Sequence, residues 1–159
     1  RSHSDQCRTG QPMPGEPIED GLNSTPGTYV LVVNLDQPAN IRVGKRSSQQ
    51  FRSGYYLYVG SAFGPGGLKS RVGRHIRSEK KMRWHIDYLL PHTNLCRLWY
   101  LPMQRLECTW SQAIATIEAA NPITGFGASD CRCSSHLYHF QSVPEIDLKP
   151  SPLIALIDC

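Results

Sequence analysis

The chain has 159 residues, a formal net charge of +4 and 40% hydrophobic residues, which is typical of one globular domain with a sizeable core. No apolar run approaches the roughly 20 residues that span a bilayer, which excludes a membrane-spanning helix. Residues 1–24 are polar and lack the apolar segment of a signal peptide, so we expect a cytoplasmic protein.

The first half of the chain predicts a flexible tail followed by three strands. Residues 1–24 are rich in Pro and Gly, show no apolar periodicity and are interpreted as the tail. Thr28 to Leu35 predicts a strand with apolar residues on both faces, so both faces of its sheet are expected to be covered. Asn40 to Arg46 alternates like a second strand, Ser47 to Ser53 is a polar connector, and Tyr55 to Gly60 is the third strand. The short loops between them predict an antiparallel meander.

The second half of the chain mixes helices and strands. Its predicted elements are a basic helix from Leu68 to Ser78 with Leu68, Val72 and Ile76 buried, a short helix from Trp84 to Leu90, a strand from Leu95 to Leu101, a helix from Leu106 to Ala120 and a strand from His136 to Phe140. Leu153 to Ile157 either packs on the core or mediates a contact. We predict a single small α/β domain over residues 25–140, with a mainly antiparallel sheet (the meander plus one or two further strands) flanked by helices, and a C-terminal extension over residues 141–159.

Basic residues are concentrated in the quarter of the chain between Arg42 and Arg83. This stretch holds eleven of the 17 Lys and Arg residues and only one acidic residue, Glu79. The eleven are Arg42, Lys45, Arg46, Arg52, Lys69, Arg71, Arg74, Arg77, Lys80, Lys81 and Arg83. A basic run alone is usually a solvated surface, but this one surrounds a strand end and favours contact with a polyanion, most commonly nucleic acid.

Tyr58 lies near the end of the third strand and precedes a glycine-rich loop and the basic helix. It shares a strand face with Tyr56 and Gly60. On a helical wheel Arg71 and His75 flank the buried stripe of the basic helix. Taken alone, a strand tyrosine is usually a packing residue, and His75 is expected to be a helix-surface histidine.

Three short segments in this order carry a family resemblance. Gly27-Thr28-Tyr29, Tyr58-Val59-Gly60 and Leu68-x-x-Arg71-Val72 resemble the GIY-YIG nuclease signature. With Trp84-His85-Ile86-Asp87-Tyr88 and the segment from Phe126 to Cys131, the chain over residues 25–140 is similar to the Uri-type subgroup of that superfamily.

The resemblance implies a metal-dependent endonuclease that hydrolyses phosphodiester bonds in nucleic acid, with DNA as the expected partner, by in-line attack of water. Tyr58 would be the general base and Tyr29 its partner, Arg71 would bind phosphate, and His75 would hydrogen-bond to phosphate or water. A tyrosine can act as a base only if adjacent cations or metal-bound water lower its pKa from about 10.

The resemblance also implies that a glutamate of the last long helix binds Mg²⁺ or Mn²⁺. Glu107 and Glu118 lie on nearly the same helix face, but 11 residues separate them, about 16 Å along the axis, so one site can use only one of them. Glu107 has the family's spacing from Arg71 and is the predicted metal ligand, which leaves Glu118 as a surface residue. On the basic helix, Lys69, Arg74 and Arg77 are expected to contact nucleic acid.

Two positions depart from the family signature. Thr28 stands where the family has isoleucine, and Ser61 stands where lysine is frequent, so one phosphate-side cation is absent. The alternative function is therefore a catalytically weak or inactive nucleic-acid-binding module with the same fold.

The six cysteines leave the redox state open, since they could form disulfides, remain thiols or bind metal. Cys131-x-Cys133-x-x-His136, with Cys108 as a further ligand, could hold a structural Zn²⁺. The alternative is a tight loop in which the thiols are buried and Asp130 caps backbone amides.

Overall fold

Two long strands, β1 and β4, form the centre of the main sheet. The computed structural model describes residues 22–45, 48–77, 81–123, 126 and 135–156. In chain order the strands are β1 (Gly27–Leu35), β2 (Ala39–Arg42), β3 (Ser48–Phe51), β4 (Gly54–Ala62), β5 (Asn94–Pro102), β6 (Asn121–Pro122), β7 (Leu137–Phe140) and β8 (Leu153–Leu156). The helices are α1 (Gly67–Ile76), α2 (Ile86–Leu89) and α3 (Glu107–Ala115), with a 3₁₀ turn at Leu90–His92 after α2.

The main sheet has six strands in the order β6-β7-β4-β1-β5-β8, and every neighbouring pair is antiparallel. The predicted fold class, a small α/β domain with a mainly antiparallel sheet flanked by helices, is confirmed. None of the helices in the described ranges has the length and apolar character needed to cross a membrane.

The predicted three-stranded meander is wrong. β2 and β3 pair only with each other in a separate two-stranded sheet, and β1 pairs directly with β4. The segment read as a polar connector is β3, whose buried residue is Phe51. The reason is hydrophobic patterning: β1 and β4 are apolar on both faces and pair in the interior, whereas β2 and β3 each bury one main anchor, Ile41 and Phe51, and form a surface hairpin.

The sheet is covered on both faces, as the pattern of β1 predicts. One face carries Tyr29 and Tyr58 and packs against α1 and α2 through Leu68 and Ile86. The opposite face carries Val30, Val32, Leu57 and Val59 and packs against Trp110 and Ile114 of α3. The tyrosines therefore face α1, the basic helix.

Helix α1 buries a different side chain from the one predicted at its end. Leu68 and Val72 are buried as expected, but Ile76 is 37% exposed and His75 is buried. The helix ends at Ile76 and the next residue is extended. In this last turn His75, and not Ile76, faces the sheet, where it is hydrogen-bonded to Tyr29.

The segment before β1 belongs to the fold. Leu22 is buried, and the carbonyls of Asn23 and Thr25 accept hydrogen bonds from the first amides of α1. Gly67 has a φ of +61°, and a side chain there would overlap the Ser24 backbone. Residues 1–21 of the predicted tail lie outside the described residues.

Helix α3 is shorter than predicted, and the C-terminal segment forms a strand, β8, at the edge of the sheet. The helix ends at Ala115, and Glu118 is an exposed residue beyond it. The hydroxyl of Thr116 donates to the Ala113 carbonyl, which stabilises a turn in place of a further helical turn. β8 pairs with β5 and extends the sheet, with Ala155 buried and Leu153 and Ile154 exposed; residue 157 lies outside the described residues.

Candidate active site

Tyr29 and Tyr58 lie side by side on the face of the sheet that packs against α1. In the β1–β4 register Tyr29 is opposite Gly60 and Leu31 is opposite Tyr58. A Cβ atom on Gly60 would overlap the Tyr29 hydroxyl and lie 2.5 Å from Cζ of the same ring. The glycine is needed because the Tyr29 ring occupies the space where a side chain would be.

His75 connects the tyrosine pair to α1. Its Nε2 lies 2.7 Å from the Tyr29 hydroxyl in a buried hydrogen bond, and its ring centroid is 5.9 Å from that of Tyr58. Only 5% of His75 is exposed. The expectation of a helix-surface histidine is therefore wrong. The helical wheel of α1 contains no information about β1, whose buried Tyr29 hydroxyl hydrogen-bonds to His75.

Arg71 lies one turn before His75 on the same side of α1. Its Nη1 donates to the Ser61 carbonyl at 2.6 Å, and its guanidinium lies 4.8 Å from the centre of the Trp84 ring. Burial raises the pKa values of Tyr29 and Tyr58, and the positive charge of Arg71 acts in the opposite direction on both, with a side-chain hydrogen bond adding to its effect on Tyr29. No carboxylate in the described part of the chain forms an ion pair with Arg71.

Glu107 is the first residue of α3 and reaches the same end of the sheet. Its negative charge raises the pKa of Tyr29 and of Tyr58, whereas Glu118 contributes to neither. Thr28 fixes the approach to the helix: its hydroxyl donates to the Gln104 carbonyl at 2.7 Å and accepts from the Leu106 amide at 2.9 Å. Thr28, which stands where the GIY-YIG signature has isoleucine, thus anchors the segment that carries Glu107.

His136, which the sequence predicted as a possible zinc ligand, contacts Glu107 in the candidate site. The Nδ1 of His136 lies 3.2 Å from Oε2 of Glu107, and the His136 carbonyl accepts the Val59 amide of β4 at 2.9 Å. This backbone bond places His136 opposite Val59, next to the Tyr58–Leu137 pair of the β4–β7 register. Only the pairing of β4 with β7 could have revealed the position, because the two segments are far apart in sequence.

Both tyrosine hydroxyls hold their protons at neutral pH. Burial raises the pKa of Tyr58, the Glu107 charge raises it further, and the Arg71 charge only partly offsets these effects. The pKa of Tyr29 is also raised well above its usual value, first by burial and then by Tyr58. Among the described residues, Arg71 does not outweigh burial, so they do not supply the lowered tyrosine pKa that base catalysis needs.

The donor that the described part of the site offers to a metal ion is the Glu107 carboxylate, which suits Mg²⁺. The Glu107 side chain is 33% exposed, so a hard carboxylate oxygen is accessible to an ion that keeps several waters. Among the described residues no three His, Cys, Asp or Glu side chains form a metal-binding group. Of the proposed zinc ligands, His136 contacts Glu107 and Cys108 lies in α3; Cys131 and Cys133 lie outside the described residues, as does Asp130. Cys96 is disulfide-bonded.

The three basic residues assigned to nucleic acid differ in their surroundings. Lys69 and Arg77 are exposed. Arg74 instead points both guanidinium nitrogens at Asp87, each 3.0 Å from a carboxylate oxygen. A phosphate contact by Arg74 does not fit this geometry, because its charge is already neutralised.

Comparison with known proteins gives a family and no characterised relative. The family model described as "Domain of unknown function DUF123" matches residues 28–154. No curated protein and no solved structure matches the chain. The matched range runs from β1 to β8 and includes every site residue named above. The chain therefore belongs to the DUF123 family of domains.

Proposed function

We propose that this chain is a metal-dependent endonuclease of the GIY-YIG type, in the Uri-type group, that hydrolyses phosphodiester bonds in DNA. One observation carries the proposal. Four elements bring their side chains to one end of the sheet: β1 with Tyr29, β4 with Tyr58, α1 with Arg71 and α3 with Glu107. The charges of Arg71 and Glu107 act on the pKa values of both tyrosine hydroxyls.

Each of these side chains has a chemically suitable task. Arg71, which has no carboxylate partner among the described residues, would bind a phosphate oxygen and stabilise the charge that develops during hydrolysis. Glu107, which the nearby His136 contacts, would hold Mg²⁺, which when bound activates water and neutralises phosphate charge. Tyr58, protonated in the free protein, would donate a hydrogen bond to phosphate or water and act as a base only if a cation lowers its pKa. His75 would hold the Tyr29 hydroxyl in place.

The surface charge is consistent with a polyanionic substrate. Lys69 is exposed on α1 and Arg77 is exposed directly after it, and Arg42, Lys45 and Arg52 are exposed on or next to the β2–β3 hairpin. Binding that depends on such contacts weakens as salt concentration rises.

A cleavage assay with end-labelled single-stranded, duplex and branched DNA and RNA tests the proposal. With Mg²⁺ or Mn²⁺ we expect scission of DNA, and Arg71→Ala and Glu107→Ala should each reduce the rate by about 100-fold or more, as the loss of a transition-state charge contact does. Glu118→Ala removes the same charge from an exposed position beyond α3 and should cleave like the unmodified protein. If every substrate stays intact, or Glu107→Ala cleaves at an equal rate, the proposal is wrong.

The second candidate is a nucleic-acid-binding module with little or no catalysis. The raised pKa of Tyr58, together with serine at position 61, favours it. It predicts salt-sensitive binding to DNA without strand scission under all metal conditions, which the same samples report.

A further inference from the structure

Asp87 is a buried carboxylate with a full set of hydrogen-bond donors. Its side chain is 0% exposed. Oδ1 accepts from Nη1 of Arg74 at 3.0 Å. Oδ2 accepts from Nη2 of Arg74 at 3.0 Å, from the Arg83 amide at 2.8 Å and from the Trp84 amide at 2.9 Å. One side chain of α2 thus fixes both the Arg74 guanidinium on α1 and the backbone amides of Arg83 and Trp84.

Trp84 lies between this carboxylate and the candidate active site. The Arg74 guanidinium lies 4.3 Å from the centre of the Trp84 ring and the Arg71 guanidinium 4.8 Å. The His75 ring centroid is 5.9 Å away. Because cations are attracted to the face of an indole, the position of Trp84 contributes to the orientation of Arg71.

Charge balance gives Asp87 a second effect. Arg71 and Arg74 both lie against one indole and repel each other. The bidentate pairing with Asp87 neutralises Arg74 and leaves Arg71 able to bind an anion. A third guanidinium, that of Arg83, lies 5.6 Å from the centre of the same ring. Burial alone raises the pKa of Asp87, but the hydrogen bonds from Arg74 and from the Trp84 and Arg83 amides outweigh it, so the pKa lies below its usual value and the group is ionised at neutral pH.

We infer that Asp87 is a positioning residue that, through Arg74 and Trp84, holds the Arg71 guanidinium in its place above Ser61. The inference rests on the proposed function in one respect: the consequence for catalysis follows only if Arg71 binds the scissile phosphate. The consequence for the orientation of Arg71 stands independently of any activity.

Nuclear magnetic resonance of the arginine Nε–Hε groups tests the inference without an activity assay. The Arg71 signal, assigned by its loss in Arg71→Lys, should be shifted upfield by the Trp84 ring current and should lose that shift in Trp84→Leu. Asp87→Asn keeps the shape and removes the charge, and should abolish the shift. Asp147→Asn removes an equal charge from a side chain that is 79% exposed and should leave the signal unchanged.

A second variant guards against misfolding of the first. Arg74→Lys keeps a cation opposite Asp87 but removes the fork, so it should reduce the Arg71 shift without abolishing it. An Arg71 signal that stays in place in folded Asp87→Asn overturns the inference. Loss of folding in both variants also overturns it, because Asp87 would then serve folding alone.

Single-turnover cleavage by the full chain provides the catalytic readout. Asp87→Asn should lower the rate constant by about 10- to 100-fold, as expected for a misplaced catalytic group, with little change in DNA affinity. In an Arg71→Ala background the same substitution should cause no further loss, because both changes act through one guanidinium. If the unmodified protein cleaves nothing, the proposed function fails, and the resonance experiment still decides the role of Asp87.

Discussion

Substitution of Gly60 by alanine should displace Tyr29 and destabilise the protein. The new Cβ would overlap the Tyr29 hydroxyl and lie 2.5 Å from Cζ and 2.9 Å from Cε1. Tyr29 is 1% exposed, and its hydroxyl is bound to His75, so the ring cannot swing into solvent. It must instead shift within a packed core and give up its hydrogen bond.

The cost of this shift can be approximated from its two parts. Overpacking of a core costs about 1–3 kcal/mol, and a lost intramolecular hydrogen bond costs about 1 kcal/mol. The sum of about 2–4 kcal/mol corresponds to a fall in Tm of about 5–15 °C for a chain of this size.

Differential scanning calorimetry measures the effect, with Gly64→Ala as the matched control. A Cβ at Gly64 meets only Arg71 Nη2 at 3.7 Å, an ordinary contact, so that variant should unfold close to the unmodified protein. In a Tyr29→Leu background, Gly60→Ala should cost much less, because the overlapping ring atoms are gone. A Gly60→Ala variant with a Tm within about 1 °C of the unmodified protein would refute the packing explanation for this glycine.

Two further predictions concern neighbouring buried groups. Thr28→Val should destabilise the protein by about 1–3 kcal/mol, the net contribution of two hydrogen bonds, because the partly buried Gln104 carbonyl and Leu106 amide lose their partner. Thr28→Ser keeps the hydroxyl and should recover most of that loss in urea unfolding; equal stability of the valine variant would contradict the assignment. Burial raises the pKa values of Tyr29 and Tyr58 and raises the pKa of Tyr56 to about 12. In an alkaline titration these three tyrosines should therefore stay protonated at about pH 11, where free tyrosine is ionised. The folded state binds these protons more tightly than the unfolded state, so stability is full below about pH 10 and is lost as pH rises through the folded pKa values. Ultraviolet absorbance of tyrosinate should therefore rise together with unfolding, and titration of all seven tyrosines near pH 10 in the folded protein would be the contrary result.

The sequence predicts secondary structure and burial best where the apolar pattern of a single segment determines which face is buried. The apolar run of β1 and the helical spacing of Leu68 and Val72 each determine a buried face locally, and both faces are buried in the structure. The β2–β3 hairpin was missed because strand pairing depends on competition between segments. The longer apolar strand β4 pairs with β1, and the polar segment Ser48–Phe51 pairs with β2.

In the candidate site, too, some residues are predictable from the sequence and their contacts are not. Tyr58, Arg71 and Glu107 were selected by signature and spacing, and the structure brings them to one end of the sheet. The partners of these residues were not predictable. His75 is buried because it hydrogen-bonds to the Tyr29 hydroxyl on β1. Arg74 forms an ion pair with Asp87, which lies 13 positions further along the chain. Helical periodicity describes a helix's own faces and contains no information about which charge lies opposite.

The location of bound Mn²⁺ tests the central proposal most directly. Crystals of the chain soaked in Mn²⁺ and measured for anomalous scattering would reveal the ion's position without any need for turnover. We predict an ion bound to the Glu107 carboxylate, on the side of the sheet end that faces Tyr58 and Arg71. An ion bound elsewhere, with Glu107 still contacting only His136, would contradict the proposed metal-dependent site.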